Sequence, residues 1–393
     1  MSKKKFALLL GFMIFSLLTL SIVIGMEVIN YFNTKDNIQI SDTPEKNNVV
    51  PIEENIPEII EGEESDENIS EEENSVEEPD SPISLAFAGD VLLSNHQLNQ
   101  YDKGNNKIHG ILSKDLADIM LTADIMMVNQ EFPFSSRGTQ AEDKQYTFRV
   151  DPERVNILSE MGIDIVTLAN NHTLDYGIDA LLDSIDTLDR ENIKHVGAGR
   201  NLEEAKLLES FELQNKKIAF LGASRVIPVY EWNAMENKPG LFTTYDPALL
   251  LDEIKAAKQN HDIVVVYVHW GIERAEYPED YQRNMGKLYI DAGADVVIGA
   301  HPHILQGIEY YRGKPIVYSL GNFVFGTSTF QTMVLKTEIN TENEIVISII
   351  PCQSNNGYTT LKDKKQWKEF YKYMEQISFN VTIDENGVVH NKE

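Results

Sequence analysis

The segment "IVTLANNHTLDYG", residues 165–177, is an apolar, strand-like run followed directly by two asparagines and a histidine. Buried strands rarely end in so many polar side chains, so the chain needs them there for a turn, a metal site or a proton donor. A helix pattern, "GIDALLDSIDTLDREN", begins at Gly177. The order of strand, polar loop and helix predicts an α/β fold whose polar residues gather where strands end.

The same alternation recurs along the chain. Amphipathic stretches that begin with Ser, Asp or Pro and end near Gly or Asn separate most of the apolar runs, as helix caps and breakers should. The apolar runs predicted to be buried strands are residues 83–89, 124–129, 164–169, 217–224, 262–269 and 295–300. This alternation predicts largely parallel strands with helices on the outer faces.

After His301 the pattern changes to hairpins, with turn residues near Arg312-Gly313, Glu342-Asn343 and Glu385-Asn386-Gly387. Short alternating runs joined by such turns are typical of antiparallel strands. We therefore expect the chain to finish with antiparallel strands that form a second sheet packed on the first.

Five of the predicted strand ends carry polar side chains, which parallel strands would bring to the same edge of a sheet. These residues are Asp90, Glu131, Asn170, Asn171, His172, His269, His301 and His303. Each one alone has a structural explanation as a turn, a helix cap or a hydrogen-bonded histidine at the rim. Together they require five coincidences at one edge, which favours a functional site.

A mixture of His, Asp, Glu and Asn suits a divalent metal such as Mn, Zn or Fe, and one or two ions per chain are expected. No cysteine lies in these motifs, which argues against a closed structural zinc site. Two ions about 3.5 to 4 Å apart could share a bridging carboxylate and activate a water. His172, beside the candidate ligand Asn171, could instead protonate a leaving group.

The first 26 residues predict a membrane anchor. Lys3, Lys4 and Lys5 precede an uncharged apolar run at residues 6–26. At about 1.5 Å per residue, a helix of this length crosses a hydrocarbon core of roughly 30 Å. The run is longer than the core of a usual cleaved signal peptide and lacks a small-x-small cleavage site, so we expect an uncleaved single-pass helix in the cell membrane. The lysines would stay inside and the remaining chain would be extracellular.

Residues 27–82 form the predicted linker, and residues 83–393 the extracellular domain. The chain has a net charge of -28, and residues 51–80 contain 14 acidic residues and no basic ones. Such a segment cannot bury enough apolar surface to fold, so we expect a disordered, extended linker. Nucleic acid is a poor candidate partner for so acidic a chain. The single cysteine, Cys352, allows no intrachain disulfide.

The motifs "FAGDVLLS", "VNQEFPFS", "LANNHTLDYG", "HWGIE" and "DAGADVVIGAHPHILQGIEYYRGKPIVYSLGNFVF" occur in order between Ile83 and Gly326. In these motifs the chain resembles the capsule synthesis protein CapA family of poly-γ-glutamate biosynthesis. The resemblance implies a metallophosphoesterase-like β-sandwich flanked by helices, of the calcineurin-like type. It also implies a membrane-anchored protein whose partners are the polymer and the subunits of a membrane synthase.

Carried over residue by residue, the phosphoesterase pattern implies a set of metal ligands: Asp90, Glu131, Asn171, His269, His301 and His303. Glu131 would be the bridging carboxylate and His172 the proton donor or oxyanion stabiliser. Asp175 would orient His172 or cap the next helix. The pattern has a histidine two residues after the first Asp, where this chain has Leu92; Ser94 and His96 are the candidates to fill that place, at a different spacing.

Two functions remain open from the sequence. The first is a membrane-anchored extracellular component of poly-γ-glutamate capsule synthesis or export that has a divalent-metal site. The alternative is a metal-dependent hydrolase or transferase acting on an extracellular amide or phosphoester. Loop arginines, which could pair with a polyanion, are Arg137, Arg149, Arg225 and Arg274. Trp270 either lines a groove or packs in the core.

Overall fold

The computed structural model describes residues 81–392. The predicted anchor at residues 1–26, and the predicted linker up to residue 80, lie outside the described residues. Among residues 81–392, no helix is both long enough and apolar enough to cross a bilayer.

Strands and α-helices of the described region mostly alternate up to residue 300. The strands are β1 Ile83–Val91, β2 Ile125–Gln130, β3 Ile165–Thr167, β4 Lys194–Val196, β5 Ala198–Gly199, β6 Glu209–Leu213, β7 Lys216–Ser224, β8 Gly240–Leu241, β9 Ile263–His269, β10 Val296–Ala300, β11 Leu305–Tyr311, β12 Lys314–Leu320, β13 Asn322–Val324, β14 Phe330–Ile339, β15 Ile345–Asn355, β16 Tyr358–Leu361, β17 Val381–Ile383 and β18 Val389–Asn391. The α-helices are α1 Asn95–Asp102, α2 Lys114–Leu121, α3 Asn156–Glu160, α4 Gly177–Arg190, α5 Leu202–Ala205, α6 Ala248–Lys258, α7 Asp280–Ala292 and α8 Trp367–Ile377. The alternation has exceptions, since no α-helix separates β4 from β5, or β6, β7 and β8 from one another.

Most strands belong to two mixed sheets. Sheet 1 has the order β16-β15-β14-β1-β2-β3-β4, with β13 also pairing with β1, and sheet 2 has the order β11-β12-β10-β9-β7-β6. The strands β1 to β4 are parallel in sheet 1, and β7, β9, β10 and β12 are parallel in sheet 2. The predicted α/β fold with parallel strands is therefore confirmed.

Of the hairpins after His301, only the short β17–β18 pair forms a sheet of its own within residues 81–392, so the prediction of a second sheet built from these hairpins was wrong. The β11–β12 hairpin extends sheet 2, and the β14–β15 hairpin extends sheet 1 through the pairing of β14 with β1. The six strands predicted before His301 are instead divided between the sheets. Sheet 1 contains β1, β2 and β3, and sheet 2 contains β7, β9 and β10. The sequence could not reveal this division because strands buried on both faces have the same continuous apolar pattern in either sheet.

The two sheets pack face to face, which gives the predicted β-sandwich flanked by helices. Phe87 and Met127 of sheet 1 share a buried cluster with Phe220, Val265 and Ile298 of sheet 2. At about 25 cal/mol per Å² of buried apolar surface, this interface is a main source of stability.

Helices cover the outer faces of the sandwich. Leu181 and Ile185 of α4 pack with Val128 on the outside of sheet 1. Ile254 of α6 and Tyr289 of α7 pack with other buried residues on the outside of sheet 2. The helix α8 packs differently, since its buried face joins the cluster between the two sheets.

Candidate metal centre

The polar strand ends predicted from the sequence meet at one edge of the sandwich. Asp90 is in β1 and Glu131 directly follows β2, both in sheet 1, whereas His269 ends β9 and His301 follows β10 in sheet 2. The expectation of a single common sheet was wrong, because the two sheets contribute to the centre together. All four side chains are at most 5% exposed.

Glycine at position 89 allows β1 to reach this edge. A Cβ atom at Gly89 would lie 1.8 Å from the carbonyl oxygen of Gly321, in the loop after β12. The backbone N–H of Asp90 donates to the same oxygen at 2.9 Å. This close approach fixes Asp90 beside the chain that leads into β13.

An amide that we did not single out from the sequence, Asn129, lies between the two carboxylates. Its Nδ2 donates to Oδ1 of Asp90 at 2.8 Å and to Oε1 of Glu131 at 3.0 Å. The same nitrogen is 3.3 Å from Nδ1 of His269. Its Oδ1 accepts from Nδ2 of Asn170 at 2.9 Å, so Asn170 braces the centre from behind.

The three histidines lie next to each other. The ring centroids of His269 and His301 are 4.7 Å apart, and those of His301 and His303 are 5.8 Å apart. His301 and His303 have positive backbone φ angles of 97° and 61°, which residues other than glycine rarely adopt. Such backbone strain is concentrated at functional sites, where the surrounding structure holds it in place.

Asn171 and His303 complete the contacts between the predicted ligands. Oδ1 of Asn171 is 2.9 Å from Nε2 of His269. Nδ1 of His303 lies 3.1 Å from Oδ2 of Asp90 and 2.8 Å from Oδ1 of Asn322. The structure thus brings all six predicted metal ligands into one group.

The electrostatics of the centre favour a cation. Burial and the neighbouring Asp90 raise the pKa of the Glu131 carboxyl. Burial and its neighbouring histidine lower the pKa of His301 to about 3, and burial keeps the pKa of His269 well below its usual range. Burial also lowers the pKa of His303, but the Glu131 and Asp90 carboxylates outweigh it and raise that pKa. The neutral imidazoles of His269 and His301 keep a lone pair for a metal, whereas His303 would have to give up its proton to bind one. A cation would also offset the repulsion between the carboxylates.

Two buried polar atoms of the centre support the same interpretation. Oε2 of Glu131 and Nδ1 of His301 have no hydrogen-bond partner within the described part of the chain. A buried polar atom without a partner costs free energy, and a coordinated ion would remove that cost at both atoms. The residues present therefore fit a divalent metal.

Candidate ligand atoms form two groups that share His303. Those of Asp90, Glu131 and His303 lie within 4.8 Å of one another, and so do those of Glu273, His301 and His303. Glu273 lies in the loop after β9 and was not predicted as a ligand. Glu273 is the last residue of the motif "HWGIE", and that position was the one sequence feature that could have indicated a ligand. No periodicity marked it as part of a site.

The side chains suggested in place of the missing histidine have other contacts. Leu92 is buried in the core between sheet 1 and its helices. Ser94 caps α1 by accepting from the backbone N–H of His96 at 3.2 Å. Nε2 of His96 lies 2.9 Å from the carbonyl oxygen of Asn356. We therefore reject Ser94 and His96 as substitutes, because each has a local structural role.

His172 is held by Asp175, as one of the two sequence interpretations expected. Nδ1 of His172 lies 2.7 Å from Oδ2 of Asp175, which also accepts from the backbone N–H of Phe148 at 2.7 Å. Asp175 is fully buried and lies before α4 without capping that helix. It orients the imidazole through Nδ1.

A buried cation that the sequence did not reveal completes this group. The Lys144 ammonium forms an ion pair with Asp175 and lies 3.0 Å from Nδ1 of His172. It also donates to the backbone carbonyl of Asn171. Burial lowers the pKa of Lys144, and Asp175 opposes that shift. Lys144 lies in a polar loop with no periodic pattern, so the sequence contained no signal for it.

Phenylalanines, which were also not predicted, lie beside the imidazoles. The ring centroids of Phe148 and His172 are 4.5 Å apart, and those of Phe325 and His303 are 5.1 Å apart. Both phenylalanines are partly exposed. Trp270 is fully buried and donates to the carbonyl oxygen of Tyr318 at 3.0 Å, so its role is packing.

Most of the loop arginines have partners within the protein. Arg137 pairs with Asp183 at 2.6 Å, and Arg149 lies over the ring of Tyr176 at 4.1 Å. Arg225 donates to the backbone carbonyl of Tyr245 at 2.9 Å. These three side chains are therefore occupied, which weakens the expectation that they bind a polyanion.

The fold and the site define a helix-flanked β-sandwich protein with a candidate divalent-metal centre at one edge. The chain belongs to the family of bacterial capsule synthesis proteins described as PGA_cap, whose model matches residues 84–327. The match contains the whole candidate centre.

Named relatives agree with this family. The PGA biosynthesis protein CapA of Bacillus subtilis is 35% identical, and the match covers 63% of this chain and 64% of that protein, slightly less than two thirds of its length. The capsule biosynthesis protein CapA of Bacillus anthracis is 29% identical over 70% of this chain and 68% of that protein. A solved structure of the sulfate thiohydrolase SoxB of Thermus thermophilus aligns with a TM-score of 0.42 and 11% identity, over 70% of this chain and 57% of that chain.

Proposed function

We propose that this protein is a membrane-anchored extracellular component that assembles or exports poly-γ-glutamate for a bacterial capsule. Membership of the capsule synthesis family and the names of the Bacillus relatives support this role. The apolar run at residues 6–26 supports anchoring in the cell membrane, with the polymer and the subunits of a membrane synthase as partners.

The single observation that carries the proposal is the convergence of buried carboxylates and histidines with two unpartnered atoms, Oε2 of Glu131 and Nδ1 of His301. A Mn, Zn or Fe ion there would supply positive charge for binding anionic groups and for lowering the pKa of water. The residues that would hold the ion are Asp90, Glu131, Asn171, His269, His301 and His303, with Glu273 as a further candidate beside His301 and His303. Glu131 would be the bridging carboxylate that the phosphoesterase pattern implies. The resemblance to metallophosphoesterases supports this assignment.

A second candidate function is a hydrolase or transferase acting on an amide or phosphoester. The observation that favours it is the imidazole of His172, held through Nδ1 by the buried Asp175. Burial lowers the pKa of His172 although Asp175 opposes the shift, so the ring is mostly neutral at neutral pH. In the tautomer whose Nδ1–H donates to Asp175, the other ring nitrogen can accept a proton and return it to a leaving group.

Polymer production in cells tests the proposed function. In a capsulated bacterium that lacks its own CapA-type protein, the wild-type chain is expected to restore polymer production, and a His301→Ala, His303→Ala double variant is not. Full restoration by a double variant that binds no metal would contradict a functional role for the centre.

His172→Ala separates the two candidate functions. If the protein is an enzyme, the variant should lose cleavage of poly-γ-glutamate or of a generic phosphodiester in product analysis while keeping its metal. A His172→Ala variant that supports full polymer production in cells would remove the enzymatic alternative and leave the accessory role.

A further inference from the structure

Lysines are concentrated on α8 and on the turn that leads into it, beyond the family match at residues 84–327. Residues 362–372 contain five lysines and two acidic residues, although the whole chain has a net charge of -28. Lys364, Lys368 and Lys372 recur every fourth residue, a spacing that places side chains on one face of a helix. We call these three residues the lysine row.

Most other lysines of residues 81–392 pair with a carboxylate, whereas the lysine row does not. Lys258 pairs with Asp295 at 2.8 Å, and Lys287 pairs with Glu309 at 2.9 Å. Within residues 81–392, the five lysines of residues 362–372 form no ion pair. Their charge is therefore free to act on a ligand.

The lysine row lines a groove of about 740 Å³ together with Trp367 and Tyr371. The opposite wall is the turn at residues 383–386 that joins β17 and β18. The groove also contains carboxylates, so its net charge depends on which of them are engaged. Glu375 accepts from the backbone N–H of Ile383 at 2.8 Å, and Asp384 accepts from that of Val388 at 2.9 Å.

The third carboxylate of the groove, Glu385, is exposed and accepts no hydrogen bond from the described residues. Three lysines therefore face two carboxylates with internal partners and one without. Across the helix, Lys362 and Lys372 line a second groove of about 510 Å³ together with Glu369. A ligand that pairs with several of these lysines must carry repeated negative charge.

We propose that the lysine row binds a linear polycarboxylate, a polymer with one carboxylate on each repeat unit. At about 1.5 Å per residue, Lys368 and Lys372 are about 6 Å apart along α8, and Lys364 precedes them in the turn that leads into the helix. Each exposed ion pair is weak, so only a ligand that engages several lysines at once would bind usefully. The rings of Trp367 and Tyr371 offer apolar surface to the polymer backbone between the charges. A flat lipid surface fits this concave site less well.

The identification of the polycarboxylate as poly-γ-glutamate rests on the proposed function. The lysine row lies on α8 and the turn before it, whereas the candidate metal centre is built from strand ends. Loss of one is therefore not expected to remove the other, and the two proposals can fail separately.

Binding of fluorescently labelled poly-γ-glutamate to the full-length chain in non-ionic detergent tests the proposal. At low salt, a Lys364→Gln, Lys368→Gln, Lys372→Gln variant is expected to bind about tenfold or more weakly, with unchanged metal content. The matched control replaces Lys103, Lys114 and Lys255, which are also exposed, by glutamine and so makes the same change in net charge. This control is expected to bind like the wild type.

Three results would overturn the proposal. The first is unchanged polymer affinity in the lysine-row variant. The second is an equal loss in the control, which would show attraction by overall charge only. The third is lysine-dependent binding to phosphatidylcholine vesicles containing phosphatidylglycerol without binding to the polymer, which would assign the surface to the membrane.

Discussion

Glu273 is a candidate metal ligand outside the set that the sequence pattern implied. Leu92 replaces the expected histidine and is buried, whereas candidate ligand atoms of Glu273 lie within 4.8 Å of those of His301 and His303. Carboxylate oxygens are suitable ligands for Mn, Fe and Zn. This exposed carboxylate thus offers the centre a further candidate ligand beside His301 and His303.

We predict that Glu273→Gln weakens metal binding by at least about tenfold, because an amide supplies a weaker, uncharged ligand. Calorimetric titration of the full-length chain measures the change. Glu276→Gln is the matched control, since Glu276 is exposed in the same loop and accepts only from the hydroxyl of Tyr373 at 3.3 Å. Equal affinities of the two variants would exclude Glu273 as a ligand.

Among the strands, β1 carries the strictest steric demand. A side chain at Gly89 would meet the carbonyl oxygen of Gly321, and the backbone of Asp90 hydrogen bonds to that same oxygen. The carboxylate at the end of β1 is therefore positioned by the close approach of two backbone segments.

We predict that Gly89→Ala destabilises the protein by about 1–3 kcal/mol and also weakens metal binding, because β1 must move away from Gly321. Denaturant unfolding and metal titration measure the two effects. Gly313→Ala is the control, since Gly313 has a φ of 74° in a turn and no atom within 4 Å of an added Cβ. Gly313→Ala should lower the free energy of unfolding by about 1–2 kcal/mol, because of its positive φ, and leave metal affinity unchanged. Full metal affinity in Gly89→Ala would show that β1 does not set the geometry of the centre.

The elements also show what a sequence can and cannot predict. The six apolar runs formed strands, and polar residues at their ends met, because the carboxyl ends of parallel strands lie at one edge. The division of those strands between two sheets was not predictable, because pairing depends on contacts distant in sequence. Asn129 was overlooked inside an apolar run, and Lys144 and Glu273 lie in loops that have no periodicity.

In the whole molecule, the centre depends on the packing of the two sheets. The hydroxyl of Tyr267 in sheet 2 donates to the carbonyl oxygen of Ala88 in sheet 1 at 3.0 Å, close to Asp90. Ligands from both sheets can meet only while this interface is intact. A metal that binds the folded chain more tightly than the unfolded chain should therefore stabilise the whole sandwich.

The metal content of the purified full-length chain decides whether this edge is a metal centre. After incubation with Mn, Zn or Fe and removal of free ions, we predict at least one tightly bound ion per wild-type chain. The His301→Ala, His303→Ala double variant should lose it, because these substitutions remove two clustered imidazole ligands. A wild-type chain that stays metal-free, and is equally stable with and without these ions, would contradict the assignment.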